Sequence, residues 1–286
     1  MARTGKASTT QPAQAQNAGG RLAGKRVVIV GGTTGLGLSA ALACRDAGAR
    51  VVVVGRNPES ANAAGRQLGE AARCVVGDAA AAGTATAAVQ EAVEHFGGLD
   101  ALYHVAGGSG RRFGDGPLHE VTDEGIDATL DLNLKSLVLS NRAAVRQFLA
   151  QGTPGAVLNM GSVLGFSPSA KFFATHVYAA TKSAVVGFTR SCAAYYAAND
   201  IRFNVIAPAL VQTPMARRAS GDETILKFIH TKQPLDGGRI GRPDDLDAAV
   251  LYLLGDESRY VTGQVLCVDG GWCVSEGQLP HEEQTA

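Results

Sequence analysis

Apolar residues in this chain fall into short blocks separated by polar and glycine-rich breaks, and the blocks are of two kinds. Runs of three to seven residues rich in Val, Ile and Leu occupy 25–30, 51–54, 74–76, 99–105, 156–160, 201–206 and 265–268. Bounded by turn-forming residues, they read as strands. Between them lie stretches of helical composition at 38–47, 85–96, about 123–149, around Tyr178 to about 198, and 243–254. Strands that alternate with helices predict an α/β fold, a doubly wound parallel sheet covered on both faces. Right-handed crossovers and a reversal of strand order then put the ligand at the carboxyl ends of the strands.

The first strand stops at Gly31-Gly32-Thr33-Thr34-Gly35-Leu36-Gly37, and a helix follows. Glycines at 31, 35 and 37 allow torsions and close approaches that a Cβ would forbid, and the helix N-terminus offers free N–H groups to a phosphate. A dinucleotide diphosphate fits there. The second strand ends in Gly55-Arg56-Asn57, where such folds place an acid for the adenosine ribose or an arginine for a 2′-phosphate. Glycine at the acid position leaves that space open and uncharged, and Arg56 can meet a phosphate with a planar charged donor. Alternatively Arg56 lies flat over the adenine and serves either cofactor. The expectation is NADP(H) over NAD(H).

Tyr178 and Lys182 stand four residues apart on a helix, so they share a face. A nearby ammonium favours the phenolate and brings a phenol of pKa about 10 toward working range. Such a tyrosine moves a proton on and off an alcohol oxygen. The pair also arises by chance on amphipathic helices, so its weight comes from what surrounds it.

Taken in order, these segments resemble the short-chain dehydrogenase/reductase family, in its single-domain, Rossmann-like branch, over nearly the whole chain. Gly31-x-x-x-Gly35-x-Gly37 matches the cofactor turn, and Asp78 resembles the adenine-contacting acid. Asn133 matches the helix asparagine, and Asn159-Met160-Gly161-Ser162 the catalytic serine segment. The run from Ile201 to Pro208 with Gln212-Thr213-Pro214 resembles the nicotinamide-side loop, and Val268-Asp269-Gly270-Gly271 a closing segment. The resemblance implies that Tyr178 exchanges the substrate proton and that Lys182 supports it and binds the ribose. It further implies that Ser162 hydrogen-bonds the substrate oxygen while Asn133 holds a water in the proton relay. Cofactor contacts are implied for Gly31, Thr33, Thr34, Gly35, Leu36, Gly37, Arg56, Asp78, Ala106, Gly107, Pro208, Val211 and Thr213, with Tyr178 and Lys182.

Four features depart from the family pattern. Val30 replaces a threonine, Ala209 a glycine, and His104-Val105 a pair of asparagines. His104 is a structural hydrogen-bonding residue or, less simply, a catalytic or metal group. The step from Ser162 to Tyr178 is 178 − 162 = 16 positions, longer than usual. In that loop Phe172, Phe173 and His176 either shape a substrate pocket or pack beneath it. Loops 107–118, with Arg111 and Arg112, and 212–235 are the other candidate walls.

Composition narrows the partners. With 45% hydrophobic and 18% charged residues in 286, one large domain is expected at 21–275, with a disordered extension at 1–20 and a flexible tail at 276–286. Twenty-six basic residues balance twenty-six acidic ones, and aromatics make up 6%, which gives nucleic acid or an anionic membrane no support. No stretch nears the roughly 18 apolar residues of a membrane helix. Five cysteines without a C-x-x-C pair read as reduced cytoplasmic thiols, mostly buried, with no metal site. The expected function is an NAD(P)-dependent interconversion of a ketone and a secondary alcohol by a homotetramer; the alternative is a catalytically silent cofactor-binding regulator or scaffold.

Overall fold

The computed structural model describes residues 20–278; residues 1–19 and 279–286, which carry most of the expected extension and tail, lie outside them. Seven parallel strands form one sheet: β1 (Arg26–Val30), β2 (Arg50–Gly55), β3 (Ala72–Val76), β4 (Ala101–His104), β5 (Gly155–Met160), β6 (Ile201–Pro208) and β7 (Val265–Val268). Their order is β3-β2-β1-β4-β5-β6-β7. The chain therefore winds outward from β1 in one direction, then restarts at β4 on the other edge of β1. That reversal opens a crevice above the carboxyl ends of β1 and β4.

The helices are α1 (Gly35–Asp46), α2 (Pro58–Leu68), α3 (Thr84–Phe96), α4 (Asp123–Leu130), α5 (Ser136–Gln151), α6 (His176–Tyr196), α7 (Arg217–Ser220), α8 (Glu223–Lys232) and α9 (Asp247–Leu254). Successive strand residues point to opposite faces, and β1 shows it: Val27 and Ile29 pack in one core with Ala40, Cys44 and Val250, and Val28 and Val30 in the other with Ala88, Ala92 and Phe148. Both faces being buried explains why the strands read as continuous apolar runs instead of alternating ones.

Several details differ from the sequence reading. The stretch 123–149 is two helices joined by a π-helical turn, Asp131–Lys135, and α9 is preceded by a 3-10 turn at Pro243–Leu246. Helices α2 and α8 were not expected. Each carries an ordinary start signal: the Asn57 side chain accepts from the Ser60 N–H at 3.0 Å with Pro58 in the first turn, and Asp222 accepts from Thr224 and Ile225. The expectation of mostly buried cysteines also fails. Cys44 is buried, but Cys74, Cys267 and Cys273 are exposed: the outer strands β3 and β7 present the first two to solvent, and Cys273 lies in the turn Trp272–Val274 that follows β7. Cys267, Cys273 and Asp269 converge within 4.8 Å, with the Asp269 oxygens accepting from the Gly271 and Cys273 N–H groups. Part of the expected tail is fixed: Gln278 donates from its backbone to Thr231 on α8. Among the described residues no helix is long and apolar enough to cross a membrane.

Candidate active site

The carboxyl end of β5 delivers Ser162. Its backbone is still extended, its side chain is buried, and Oγ accepts from the Leu164 N–H at 3.3 Å as the chain turns. The chain re-enters the site at α6, two residues before Tyr178. Buried Asp115 holds that start, accepting from the Val177 N–H at 3.2 Å and the Tyr178 N–H at 2.9 Å. A carboxylate on the first turn of a helix satisfies orphan donors and favours the helix dipole. Asp115 thus fixes Tyr178, and the sequence reading missed it; a carboxylate 63 positions away carries no local signal.

One turn further on, Lys182 is buried and donates to the Met160 carbonyl at 2.9 Å, with Nζ 5.6 Å from the centre of the Tyr178 ring. Met160 and Ser162 end the same strand, so serine, phenol and ammonium meet at one point. Asn133 sits buried in the π-turn; its Nδ2 donates to the carbonyls of Gly108 (2.8 Å) and Thr129 (2.9 Å), and Oδ1 accepts from the Gly108 N–H. A Cβ on Gly107 would lie 2.6 Å from that Oδ1 and 3.6 Å from Lys182 Nζ. Glycine is therefore what lets the β4 end pass between them.

The electrostatics correct one expectation. Burial raises the Tyr178 phenol above its ordinary value, and a hydrogen bond with Ser162 opposes that rise; the ammonium does not bring it down. Burial also lowers Lys182, to about 8. In this chain the phenol is protonated at neutral pH, and the lysine is mostly charged. His104 takes the structural role. Fully buried, it meets Ser140 Oγ at 2.8 Å and Ser136 Oγ at 3.3 Å on α5, and burial next to Lys182 lowers its pKa to about 3. Asn159 beside it pairs with Asn141 and Thr189. These bonds run from strand to helix.

The other end of the crevice fits a dinucleotide. Thr34, at the start of α1, makes no side-chain cap, so the helix N–H groups remain available to a diphosphate. Gly31 has φ +89, and a Cβ there would meet the Ala106 backbone N at 2.6 Å; a Cβ on Gly37 would lie 2.0 Å from the Gly31 carbonyl oxygen. Thr213 packs over Gly35, while Val211 bridges to Gly241, so the loop after Pro208 closes over the glycine turn. Leu36 lies in the first turn of α1. One inference fails here: the space beside Gly55 is not open, because a Cβ there would meet Thr33 Oγ1 at 2.2 Å. Arg56 and Asp78 face each other at 4.0 Å, both about half exposed, a separation at which a surface pair holds little.

The long loop before Tyr178 packs. Phe172 lies 5.2 Å from Phe228, Phe173 lies 5.7 Å from Trp272, and Trp272 Nε1 donates to the Ser167 carbonyl at 3.0 Å. His176 Nδ1 accepts from the Leu118 N–H, which ties loop 107–118 to α6. Phe172 and Phe173 therefore secure the wall, and α8 with Trp272 forms its outer support. A cavity of about 250 Å³ behind the 208–214 loop, lined by Leu210, Gln233, Arg239 and Asp245 among others, holds none of the converging side chains.

A sheet that reverses order above a glycine turn, with a phenol, ammonium and hydroxyl at the next strand end, defines a nicotinamide-dependent oxidoreductase acting on carbonyl and alcohol groups. A family model described as enoyl-(acyl carrier protein) reductase matches residues 30–273. Momilactone A synthase of Oryza sativa subsp. japonica is 37% identical over 257 residues, covering 89% of this chain and 92% of the relative. A short-chain type dehydrogenase/reductase from Mycobacterium ulcerans superposes with a TM-score of 0.82 at 29% identity, over 90% of this chain and 92% of the other. The 3-ketoacyl-(acyl-carrier-protein) reductase of Brucella melitensis, solved with NADH, does so at 0.79 and 28%, over 88% and 100%. The chain belongs to the short-chain dehydrogenase/reductase family, and it interconverts carbonyl and alcohol groups with NAD(H) or NADP(H).

Proposed function

We propose that Tyr178 is the general acid and base of this reaction, that Ser162 binds the reacting oxygen, and that Lys182 supports both the proton transfer and the cofactor ribose. The convergence of these three groups at the ends of β5 and α6 carries the reading. When bound, the cofactor supplies or accepts the hydride. In reduction, charge develops on the carbonyl oxygen; Ser162 donates a hydrogen bond to it and the Tyr178 hydroxyl delivers its proton. A phenol held above its ordinary pKa is in the form that this direction needs. In oxidation the step runs in reverse: Tyr178 first gives up its own proton toward solvent, and its phenolate oxygen then takes the proton of the alcohol. Asn133, whose side-chain amide is engaged by Gly108 and Thr129, is proposed to serve the proton relay by holding the backbone beside Gly107 and Lys182 in place.

The cofactor contacts proposed are those of the glycine turn and the loops over it: Gly31, Thr33, Thr34, Gly35, Leu36, Gly37, Asp78, Ala106, Gly107, Pro208, Val211 and Thr213. For the adenosine end we favour NADP(H). Thr33 occupies the side of Gly55 where an acid would stand, and among the described residues Arg56 is held by no closer charged partner than Asp78. Hydrogen bonds to charged groups contribute about 1.5–3 kcal/mol, so Arg56→Ala should weaken NADP(H) at least tenfold and change NAD(H) little. Titrating both cofactors into both proteins decides it: a parallel loss of both means that Arg56 stacks on adenine. Exposed free thiols fit a reducing compartment, which favours the cytoplasm. The assembly proposed is a homotetramer.

A further inference from the structure

The edge strand β7 ends in a group of side chains that proton and hydride transfer leave unused. Cys267 lies on β7, which pairs with β6 alone. The chain then doubles back through Asp269-Gly270-Gly271, where the two glycines have φ +62 and +95, and the turn Trp272–Val274 carries Cys273. That reversal gathers the sulfurs of Cys267 and Cys273 and a carboxylate oxygen of Asp269, all within 4.8 Å of one another. The spacing C-x-D-x-x-x-C is not a C-x-x-C pair, so the sequence reading expected no metal site; the fold supplies the convergence.

The group is held before any ligand arrives. Asp269 accepts at Oδ1 from the Gly271 N–H (2.9 Å), at Oδ2 from the Cys273 N–H (3.0 Å) and at its carbonyl from the Trp272 N–H (3.1 Å). The Gly270 carbonyl accepts from the Leu235 N–H at 3.1 Å, and a Cβ on Gly271 would lie 3.2 Å from Pro234, so the turn is seated on the segment after α8. With one backbone bond on each oxygen, the carboxylate keeps lone pairs for a cation, and the N–H groups orient it as outer partners orient a metal ligand. Sulfur decides which cation: magnesium and calcium take oxygen ligands, whereas thiolates favour softer ions such as zinc. Ligand atoms around a tetrahedral zinc stand about 3.6–3.8 Å apart, so a small rotation of these side chains closes the site.

We propose that Cys267, Asp269 and Cys273 bind a zinc ion through two sulfurs and one carboxylate oxygen, with water in the fourth position. As the ion binds, each sulfur exchanges its proton for a bond to zinc, and the two protons leave to water. The ion ties β7 to the turn that plants Trp272 against Phe173 and Phe228, and so braces the outer support of the active-site wall.

The test uses the full chain, reduced and stripped of metal, with cobalt(II) chloride as a coloured stand-in and zinc chloride as its competitor. Cobalt should bind once per chain with a thiolate-to-metal charge-transfer band, and zinc should abolish that band. Trp272, the single tryptophan of the sequence, should change its fluorescence with the same midpoint. Losing an outer partner costs about 10–100-fold in metal affinity, so losing a ligand in Cys267→Ser or Cys273→Ser should weaken binding by at least about 100-fold. Both substitutions are nearly isosteric, and retained cofactor binding shows that the variants are folded. Zinc should also shield both thiols of wild type from iodoacetamide while Cys74, on the opposite edge of the sheet, still reacts. A band that is absent, or that persists undiminished in both variants, overturns the inference, as does alkylation of Cys267 and Cys273 at an unchanged rate under zinc. Cobalt bound without the thiolate band refutes it too, since the surface group Glu91, Glu94 and His95 offers no sulfur.

Discussion

Lys182 shows how burial sets the chemistry at the residue scale. Its ammonium is enclosed by α6 and the β5 end, where it donates to the Met160 carbonyl, and the loss of water lowers its pKa to about 8. In the proposed mechanism it is the charged form that makes the ribose contact and steadies the developing oxyanion. The expected result is that kcat/KM for carbonyl reduction falls as pH rises through about 8, since the proton is lost there, and Lys182→Arg should move that fall well upward. A profile that stays flat to pH 10 in wild type would contradict the role. The pair Tyr178 and Lys182 was legible from a spacing of four, but the direction of the tyrosine shift was not. Spacing reports adjacency, whereas the sign depends on how much water the fold removes, and here desolvation outweighs an ammonium 5.6 Å from the ring.

Elements hold these residues through buried polar ties. The end of β4 is fastened to α5 by His104 with Ser136 and Ser140, and the end of β5 by Asn159 with Asn141. A buried histidine with a pKa near 3 stays neutral in the folded chain, while the unfolded chain binds its proton near 6.5. The unfolded state then holds more protons between about pH 3 and 6.5, so stability falls as pH drops below 6.5. At pH 5 this one group should remove about 2 kcal/mol relative to pH 7. Urea unfolding at the two pH values checks it: His104→Asn, which keeps a polar group but does not titrate, should lose about that much less than wild type. An equal loss in both proteins would mean that another group controls acid sensitivity. From sequence, His104 read as a departure from a pattern, and its structural use was open because Ser136 and Ser140 lie 32 and 36 positions away. Strands and the α1, α3 and α6 helices were readable since their apolar residues recur; α2 has a single large apolar residue and α8 is only ten residues long, so neither gives a strong repeat. Their caps at Asn57 and Asp222 were the available signals.

At the scale of the molecule, one side of α6 faces outward. Helix α6 exposes Ala180, Ser183, Gly187, Ser191 and Ala194 along one side, a stripe narrow enough for another helix to approach closely, and Tyr195 beside it is 76% exposed. This agrees with the proposed tetramer, whose interfaces should exceed roughly 2,000 Å² if they are obligate. Sedimentation at micromolar concentration should give about four times the 29.4 kDa chain, and Gly187→Arg should reduce that mass; a monomer throughout would refute the assembly. The reversal of strand order is what joins the scales, since it opens one crevice that receives the glycine turn from β1, Gly107 from β4, and Ser162 from β5. Ser162 there meets the Tyr178 phenol. The most direct measurement is therefore turnover of Tyr178→Phe with a substrate that wild type reduces, alongside cofactor affinity. Removing a general acid should lower kcat by about 10²–10⁴ while the cofactor binds within a few-fold of wild type; turnover at the wild-type rate would contradict the mechanism.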